Sequence, residues 1–246
     1  MPVSHHRLLQ ISRRMSCMNR AWILALLAFP ACSGFAQSSS AGPLGVLVSP
    51  PKSVQAPSDL RQAIPAKSVV RLIQPTQLSS DGENFVIYEL GNEYEPDAHI
   101  AVIKNHARVA DFSLVKLFAK DGVGSSYALF QSAQVSLGPN RKGFMAAFRN
   151  IGDGAGTLFV LVTESGGHFV VAWQEETSEA QFQVRRGGAF QLWDANEGDN
   201  CVWCLHHYKV TNYLWKNGAS MKVSHFETKH PLSPSQFSEK PIRVLP

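Results

Sequence analysis

The chain has 246 residues, of which 44% are hydrophobic and 17% charged, enough to bury a sizeable core without help from disulfides. Four of its 23 lysines and arginines, Arg7, Arg13, Arg14 and Arg20, lie in the first 36 residues, which hold no acid, so the formal charge of +4 belongs to the leader and the remaining 19 basic residues balance 19 acidic ones. A neutral body with no dense basic run beyond Arg185-Arg186 argues against nucleic acid as a partner, because such binders carry a basic excess that displaces counterions.

The leader itself reads as an export signal. "MNRAWILALLAFPACSGFAQ" from Met18 supplies Arg20, an apolar run from Ala21 to Ala31, and a small-residue stretch ending at Ala36, after which cleavage is expected. That run is too short for a helix across about 30 Å of hydrocarbon and contains Pro30, so no transmembrane span is expected. Met18 opens a complete signal by itself, which makes it a candidate for the true start. Secretion or release into a periplasm follows. The alternative is an outer-membrane lipoprotein with a lipid anchor at Cys32, although Phe29 and Pro30 stand where such signals take a small aliphatic pair.

Residues 37–66 carry five prolines and no sustained apolar period, and read as a disordered Pro/Ser/Ala-rich linker. Within it "DLRQAI" has the composition of a turn or two of helix with Asp59 as its cap. From 67 to 230 the pattern changes to short runs rich in Val, Phe, Tyr and Trp: "NFVIYEL", "AHIAVIK", "VADFSLVKLF", "YALFQSAQVSL", "GFMAAFR", "TLFVLVTE", "HFVVAWQ", "FQVRR", "AFQLWD", "YKVTNYLW" and "MKVSHF". These are strands by composition and length. Asn105-His106, Gly166-Gly167 and Asn217-Gly218 mark hairpin turns between them. With no amphipathic helix of three turns, the expected fold is all-β, an antiparallel meander of four-stranded sheets. Residues 231–246 read as a C-terminal tail.

Two segments run alike: an aromatic, a loop of Asn, Gly and Asp, a strand, a turn with glycine, a strand. They are "FRNIGDGAGTLFVLVTESGGHFVVAWQEET" and "LWDANEGDNCVWCLHHYKVTNYLWKNGASMKVSHFET". Over about residues 143–226 they resemble degenerate FG-GAP or VCBS-type repeats, the blades of integrin-α-like β-propellers. The resemblance implies blade-like sheets in an incomplete propeller. It also implies a calcium loop, to which Asp194 and Asn196 match while Gly198 replaces a carboxylate; the earlier loop keeps Asn150 and Asp153. Calcium wants six to eight oxygens, more than these loops offer.

"CVWCLHH" at 201–207 is the stretch most like chemistry. Leu205 occupies the position of a haem-binding histidine, and the strand pattern after Cys204 does not give the helix N-terminus that a thioredoxin-like thiol requires. Zinc is an alternative, with Cys201, Cys204 and either His206 or His207, which point to opposite faces of an extended segment, completed by His225 or Asp199. The favoured reading is a Cys201–Cys204 disulfide, since these are the two cysteines left after cleavage and oxidising compartments favour the bond. Trp203 and Tyr208 are the candidate binding surface beside this staple, whereas Trp173, Trp193 and Trp215 belong to a sheet core. Glu175, Glu176 and Glu179 could pair as glycosidase carboxylates but read as a solvated connection; His99, His106, His168, His225 and His230 show no ligand spacing. Nucleophile elbows, zincin motifs and phosphate loops are absent. The expected function is therefore exported, non-enzymatic binding of a protein or carbohydrate, without a cofactor; the alternative is a small hydrolase or thiol-redox enzyme centred on 201–207.

Overall fold

The computed structural model describes residues 52–92, 95–119, 126–151, 156–177, 180–185, 188–196, 205–216, 218–233, 236 and 241–245. All belong to the unit Ser38–Pro246. In chain order they form α1 (Ser58–Gln62), β1 (Val69–Thr76), β2 (Glu83–Gly91), β3 (Pro96–Lys104), β4 (Ala107–Ser113), α2 (Leu114–Leu117), β5 (Tyr127–Gly138), β6 (Arg141–Asn150), β7 (Thr157–Ser165) and β8 (His168–Thr177). Then come β9 (Ala180–Val184), β10 (Ala189–Ala195), β11 (Tyr208–Lys216), β12 (Ala219–Glu227) and β13 (Ile242–Val244). The fold is all-β: β1–β4 form a first antiparallel meander, β5–β8 a middle one and β9–β12 a last one, and none closes into a barrel.

The middle sheet is apolar on both faces. Along β6, Phe144, Ala146 and Phe148 join a core with Phe85, Ile87, Ile100 and Val102 of the first sheet, while Met145 and Ala147 join a second core with Phe182, Phe190, Leu192 and Trp215 of the last. Strand β7 divides in the same way, Leu158, Val160 and Val162 facing one side and Phe159 and Leu161 the other. Successive side chains on a strand point to opposite faces, so continuous apolar runs such as "GFMAAF" and "TLFVLV" are what a sheet sandwiched between two others requires. Trp173 and Trp215 lie in the second core, as their strand setting implied.

The two terminal sheets each have one face turned away from these cores. On the first, Leu60 of α1 and Ile64 pack on Val70, Val86, Ala101 and Ile103, and Val54 donates its amide to the Val70 carbonyl. The linker expected over 37–66 thus contributes a packed cap from Val54 onward, and the N-cap of α1 is Pro57, not Asp59. On the last sheet, Leu232 lies against Ala195, Tyr208, Val210 and Trp193, and its backbone bridges His206. The tail also supplies β13, which pairs parallel to β9, the single departure from an antiparallel pattern in the described ladders. The amide of Gln131 stands in for a neighbouring strand: Nε2 donates to the Ile242 carbonyl (2.9 Å) and Oε1 accepts from the Ile242 amide (2.7 Å).

Three further differences from the expected elements have local causes. Strand β1 went unrecognised because Arg71, Gln74 and Pro75 interrupt its apolar run, yet it pairs with β2 along its length. "VADFSLVKLF" is not one strand, since the Ser113 hydroxyl accepts from the Lys116 amide and starts α2. Glu175 and Glu176 belong to β8, not to a connection; as neighbours on a strand they face opposite sides and cannot act as paired carboxylates, and Glu179 lies outside the described residues.

Candidate functional site

Tight turns gather at one end of the molecule. Leu78 of the β1–β2 connection, Asn140 to Lys142 at the β5–β6 turn, and Thr163 to Gly166 at the β7–β8 turn line one cleft of about 300 Å³. The β9–β10 turn abuts Leu137 through Gly188, and the β11–β12 turn abuts Arg141 through Gly218. By the geometry of a meander, the connections from second to third strand leave from the opposite end, after Gly91, Asn150 and Ala195. That end is mostly acidic: Asp97, Asp111, Glu175, Glu176, Asp194 and Glu227, with Lys209, sit in the last or first three residues of their strands, whereas Lys104, Arg108, Arg141, Lys142 and Lys216, with Glu83 and Glu164, hold the same positions at the tight-turn end.

The most densely hydrogen-bonded part of the acidic end is a network on the first sheet, on the same face as α1. Tyr88, His99 and Ser113 stand opposite one another across β2, β3 and β4, and Asp97 and Asp111 lie two residues away on β3 and β4. The Tyr88 ring stacks on His99 with centroids 4.8 Å apart. His99 is held between two carboxylates, Nε2 at 3.1 Å from Asp97 and Nδ1 at 2.9 Å from Asp111. The Tyr88 hydroxyl donates to Asp111 (2.8 Å), Arg108 donates to the same carboxylate (2.8 Å), and Ser113 donates to Asp97 (2.9 Å). Arg108 reaches this face because a bulge between Val102 and Ile103 leaves Val109 without a partner and shifts the register by one.

The electrostatics follow from these contacts. Burial pushes the His99 imidazole toward the neutral form, but the hydrogen bond to Asp111 and the charges of Asp97 and Asp111 outweigh it and hold the group above its ordinary value. Burial likewise raises Asp111, and the hydrogen bonds from His99 and Tyr88, with the charges of His99 and Arg108, bring it below the usual carboxylate range. Tyr88 is pushed up by burial and by Asp111. Such an arrangement is poor at catalysis. Both imidazole nitrogens are engaged, the serine hydroxyl faces a carboxylate instead of the imidazole, and the phenol is protected against ionisation, so the cluster offers neither an activated nucleophile nor a vacant base. It clasps β2, β3 and β4 together and fixes where the β2–β3 connection starts.

A second charged group lies between the middle and last sheets. Burial raises Glu175, against the opposing charges of Lys209 and Lys222. The Tyr213 hydroxyl is pushed up to about 12 by burial and then by Glu175. At the tight-turn end, a cleft of about 340 Å³ is bordered by Asp59, Lys104, His106 and Glu83, whose carboxylate is saturated by Thr76, the Leu78 amide and both donors of Ser79.

The residues singled out in the sequence are only partly brought together. Cys201, Trp203, Cys204, Asp199, Gly198 and Asp153 lie outside the described residues, and with them the disulfide and the zinc and calcium alternatives. His206 is buried and bridged to Leu232, whereas His207 turns to the Thr228 carbonyl (Nδ1 at 2.8 Å), so the two histidines do part to different surroundings. Asp194 is a residue of β10 opposite Lys209, and Asn196 donates to Glu227 (2.6 Å). Tyr208 is 0% exposed and packs with Ala195 and Val210, which removes it from the candidate binding surface. The described residues contain no group of three or more His, Cys, Asp or Glu side chains placed to hold a metal ion. Among them, no helix is long and apolar enough to cross a membrane. The Asp97–His99–Asp111 network went unread because its histidine looked isolated in sequence. No family model, curated protein or solved structure matches this chain.

Proposed function

We propose that this is an exported, non-enzymatic binding protein of the periplasm or cell exterior, its blade-like sheets of the FG-GAP or VCBS kind, its working surface the connections between second and third strands. The observation that carries the reading is the division of the molecule into two unlike ends: turns flanked by mostly basic strand termini at one, and at the other mostly acidic strand termini with the longest connection between paired strands, the one after Ala195. Binding residues concentrate on loops held by a rigid scaffold, and here the scaffold is a doubly buried middle sheet with a clasped first sheet beside it. The chemistry at the acidic end suits a polar ligand, a glycan or a protein surface. The saturated state of the His99 cluster supports binding over turnover.

The test is a glycan array and an envelope-fraction binding assay on the purified protein and on a variant with Gly-Ser in place of residues 92–95. Saturable binding to a defined glycan or polymer, lost in the variant at unchanged thermal midpoint, is the expected result. Turnover of ester, glycoside or peptide substrates, or reduction of insulin disulfides dependent on Cys201, would overturn it in favour of an enzyme.

A further inference from the structure

The face of the last sheet turned away from the middle sheet carries one row of polar side chains. Gln191 stands opposite Gln183 on β9 and Asn212 on β11, Asn212 opposite Ser224 on β12, and Gln183 opposite Arg243 on β13. The row therefore crosses all five strands, about 19 Å at the usual strand spacing. Directly paired residues share a face, and this one is opposite to Phe182, Phe190 and Leu192, which point into the core. Its hydrogen bonds run in one direction. Arg185, which can only donate, gives Nη2 to Oε1 of Gln191 (2.9 Å). That turns Nε2 of Gln191 to Oδ1 of Asn212 (2.6 Å), and Nδ2 of Asn212 to the Ser224 hydroxyl (3.0 Å). Gln183 donates to Gln181 (2.9 Å). An amide nitrogen has two hydrogens, so Gln183, Gln191 and Asn212 each keep one with no acceptor among the described residues. Arg243 is in no ion pair among them.

We infer that this face binds an acidic polysaccharide, the chain lying along the row with its carboxylate or sulfate groups taken by the spare amide hydrogens and by the arginines at the β9–β13 end. Charge argues the occupant. Among its described residues the face has Arg185, Lys216 and Arg243 and no acid, whereas the opposite face of the same sheet carries Asp194 and Glu227. A surplus of donors with no carboxylate to absorb them is complementary to a ligand rich in acceptors, and most of all to anionic oxygens. The apolar rows on either side suit sugar rings. Leu214 and Met221 flank the amides toward the tight turns, Val210 and Phe226 on the other side, with Met221 51% and Phe226 48% exposed. A pyranose offers C–H faces to such side chains and rim oxygens to the amides between them. Leu232 of the tail covers the Val210 side and leaves Gln183, Gln191 and Asn212 half-exposed. An anionic membrane is met by clustered basic side chains near its surface, and among the described residues of this face Lys216 is the one lysine. The surface is separate from the second-to-third connections and does not rest on their role.

The experiment is titration calorimetry of the purified chain with polygalacturonate and dextran sulfate, and with their neutral counterparts, methyl-esterified polygalacturonate and dextran. Saturable binding to an acidic polymer is expected, the polymer bound naming the acid group, and its neutral counterpart should bind about tenfold more weakly or not at all. Arg243→Gln and Gln191→Leu should each weaken binding about tenfold. Lys142→Gln removes the same charge from an exposed strand terminus of the middle sheet and should leave binding unchanged. No binding to either acidic polymer, equal binding to the neutral ones, or an equal loss in Lys142→Gln each overturns the proposal. So does polyglutamate or a phosphatidylglycerol vesicle held as tightly as the polysaccharide, which would make the partner an acidic protein or a membrane. Thermal midpoints accompany every variant; should Gln191→Leu fail to fold, Arg243→Gln, at an exposed position on β13, decides, and unchanged binding there refutes the site. Replacing residues 92–95 must leave this binding intact, so failure of the strand-connection surface and failure of this one read separately.

Discussion

The middle and first sheets solve opposite problems with the same topology. The middle sheet, β5–β8, buries both faces, so its ladder is fixed by packing on either side and its two inner strands, β6 and β7, carry almost no polar residue at their centres. The first sheet, β1–β4, buries one face against the middle sheet and meets a short helix and an ion-paired network on the other. A stack of sheets needs its terminal faces covered, much as solenoids need capping repeats. The comparison teaches that the chain obtains stability from the middle and specificity of register from the periphery.

The sharpest way to break the comparison is to excavate the middle. Phe159 is fully buried between the middle and last sheets, 5.9 Å from the Phe182 ring and 6.4 Å from Trp173. Phe159→Ala should cost about 4 kcal/mol, read as a loss in denaturant midpoint at constant slope. Leu60→Ala strips the cap from the first sheet and should cost about 2 kcal/mol, the low end for such changes, because a five-residue helix at a margin can settle into the space. A cost equal to that at Phe159 would show that the cap is as integral as the core. Asp111→Ala leaves His99, Tyr88 and Arg108 without their common acceptor and should cost about 2 kcal/mol, with Asp111→Asn recovering part of it in the same unfolding assay. Gly218→Val should cost about 1 kcal/mol, since φ is +84° at that turn and a branched side chain resists it.

The smallest effect is in pH. His99 is raised in the folded state, so its stabilisation is complete below about pH 6.5, the unfolded value, and fades as pH climbs through the raised one. Asp111 is depressed, so its contribution is present above about pH 4 and is lost as acid protonates it. The clasp is therefore tightest between those limits. Stability measured from pH 6 to 9 should decline in the wild type by about 1 kcal/mol or less and stay flatter in His99→Gln; identical profiles would show that the imidazole contributes nothing.

Most strands were legible because their signal is local: apolar runs of the right length, ended by Asn-His, Gly-Gly and Asn-Gly. The two look-alike segments also occupy corresponding strands, second to fourth, of the middle and last sheets. The first sheet repeats that order over 83–113 without a glycine turn between its last two strands, which hid it. The candidate site was illegible for a precise reason of register. A two-residue turn at Asn105-His106 pairs Lys104 with Ala107, and extending that register would set His99 opposite Phe112 and turn Asp111 to the other face. The bulge at Val109 moves the register by one, so that His99 meets Ser113 and Asp111 joins the cluster. No residue type announces a bulge in a stretch of ordinary strand formers. Strand β13 was missed for another cause: three residues carry no period, and their pairing is with a segment some sixty positions away.

That last pairing has a consequence for how the chain reaches its final state. The first two sheets are each closed by neighbours in sequence, so they can form as soon as β8 is available. The last sheet cannot be finished so early. Its strand β9 is flanked by β10 on one side and β13 on the other, and the Gln131 amide, 111 residues before Ile242, waits for the same three residues. A chain emerging from its N-terminus thus holds the free edge of β9 and the polar groups of Gln131 open to solvent until residue 245 has followed, when Phe182 donates to Pro241 and Leu245 donates to Val184. Closure of the fold is a late, long-range event, and the interval before it is when the molecule is most exposed to mispairing.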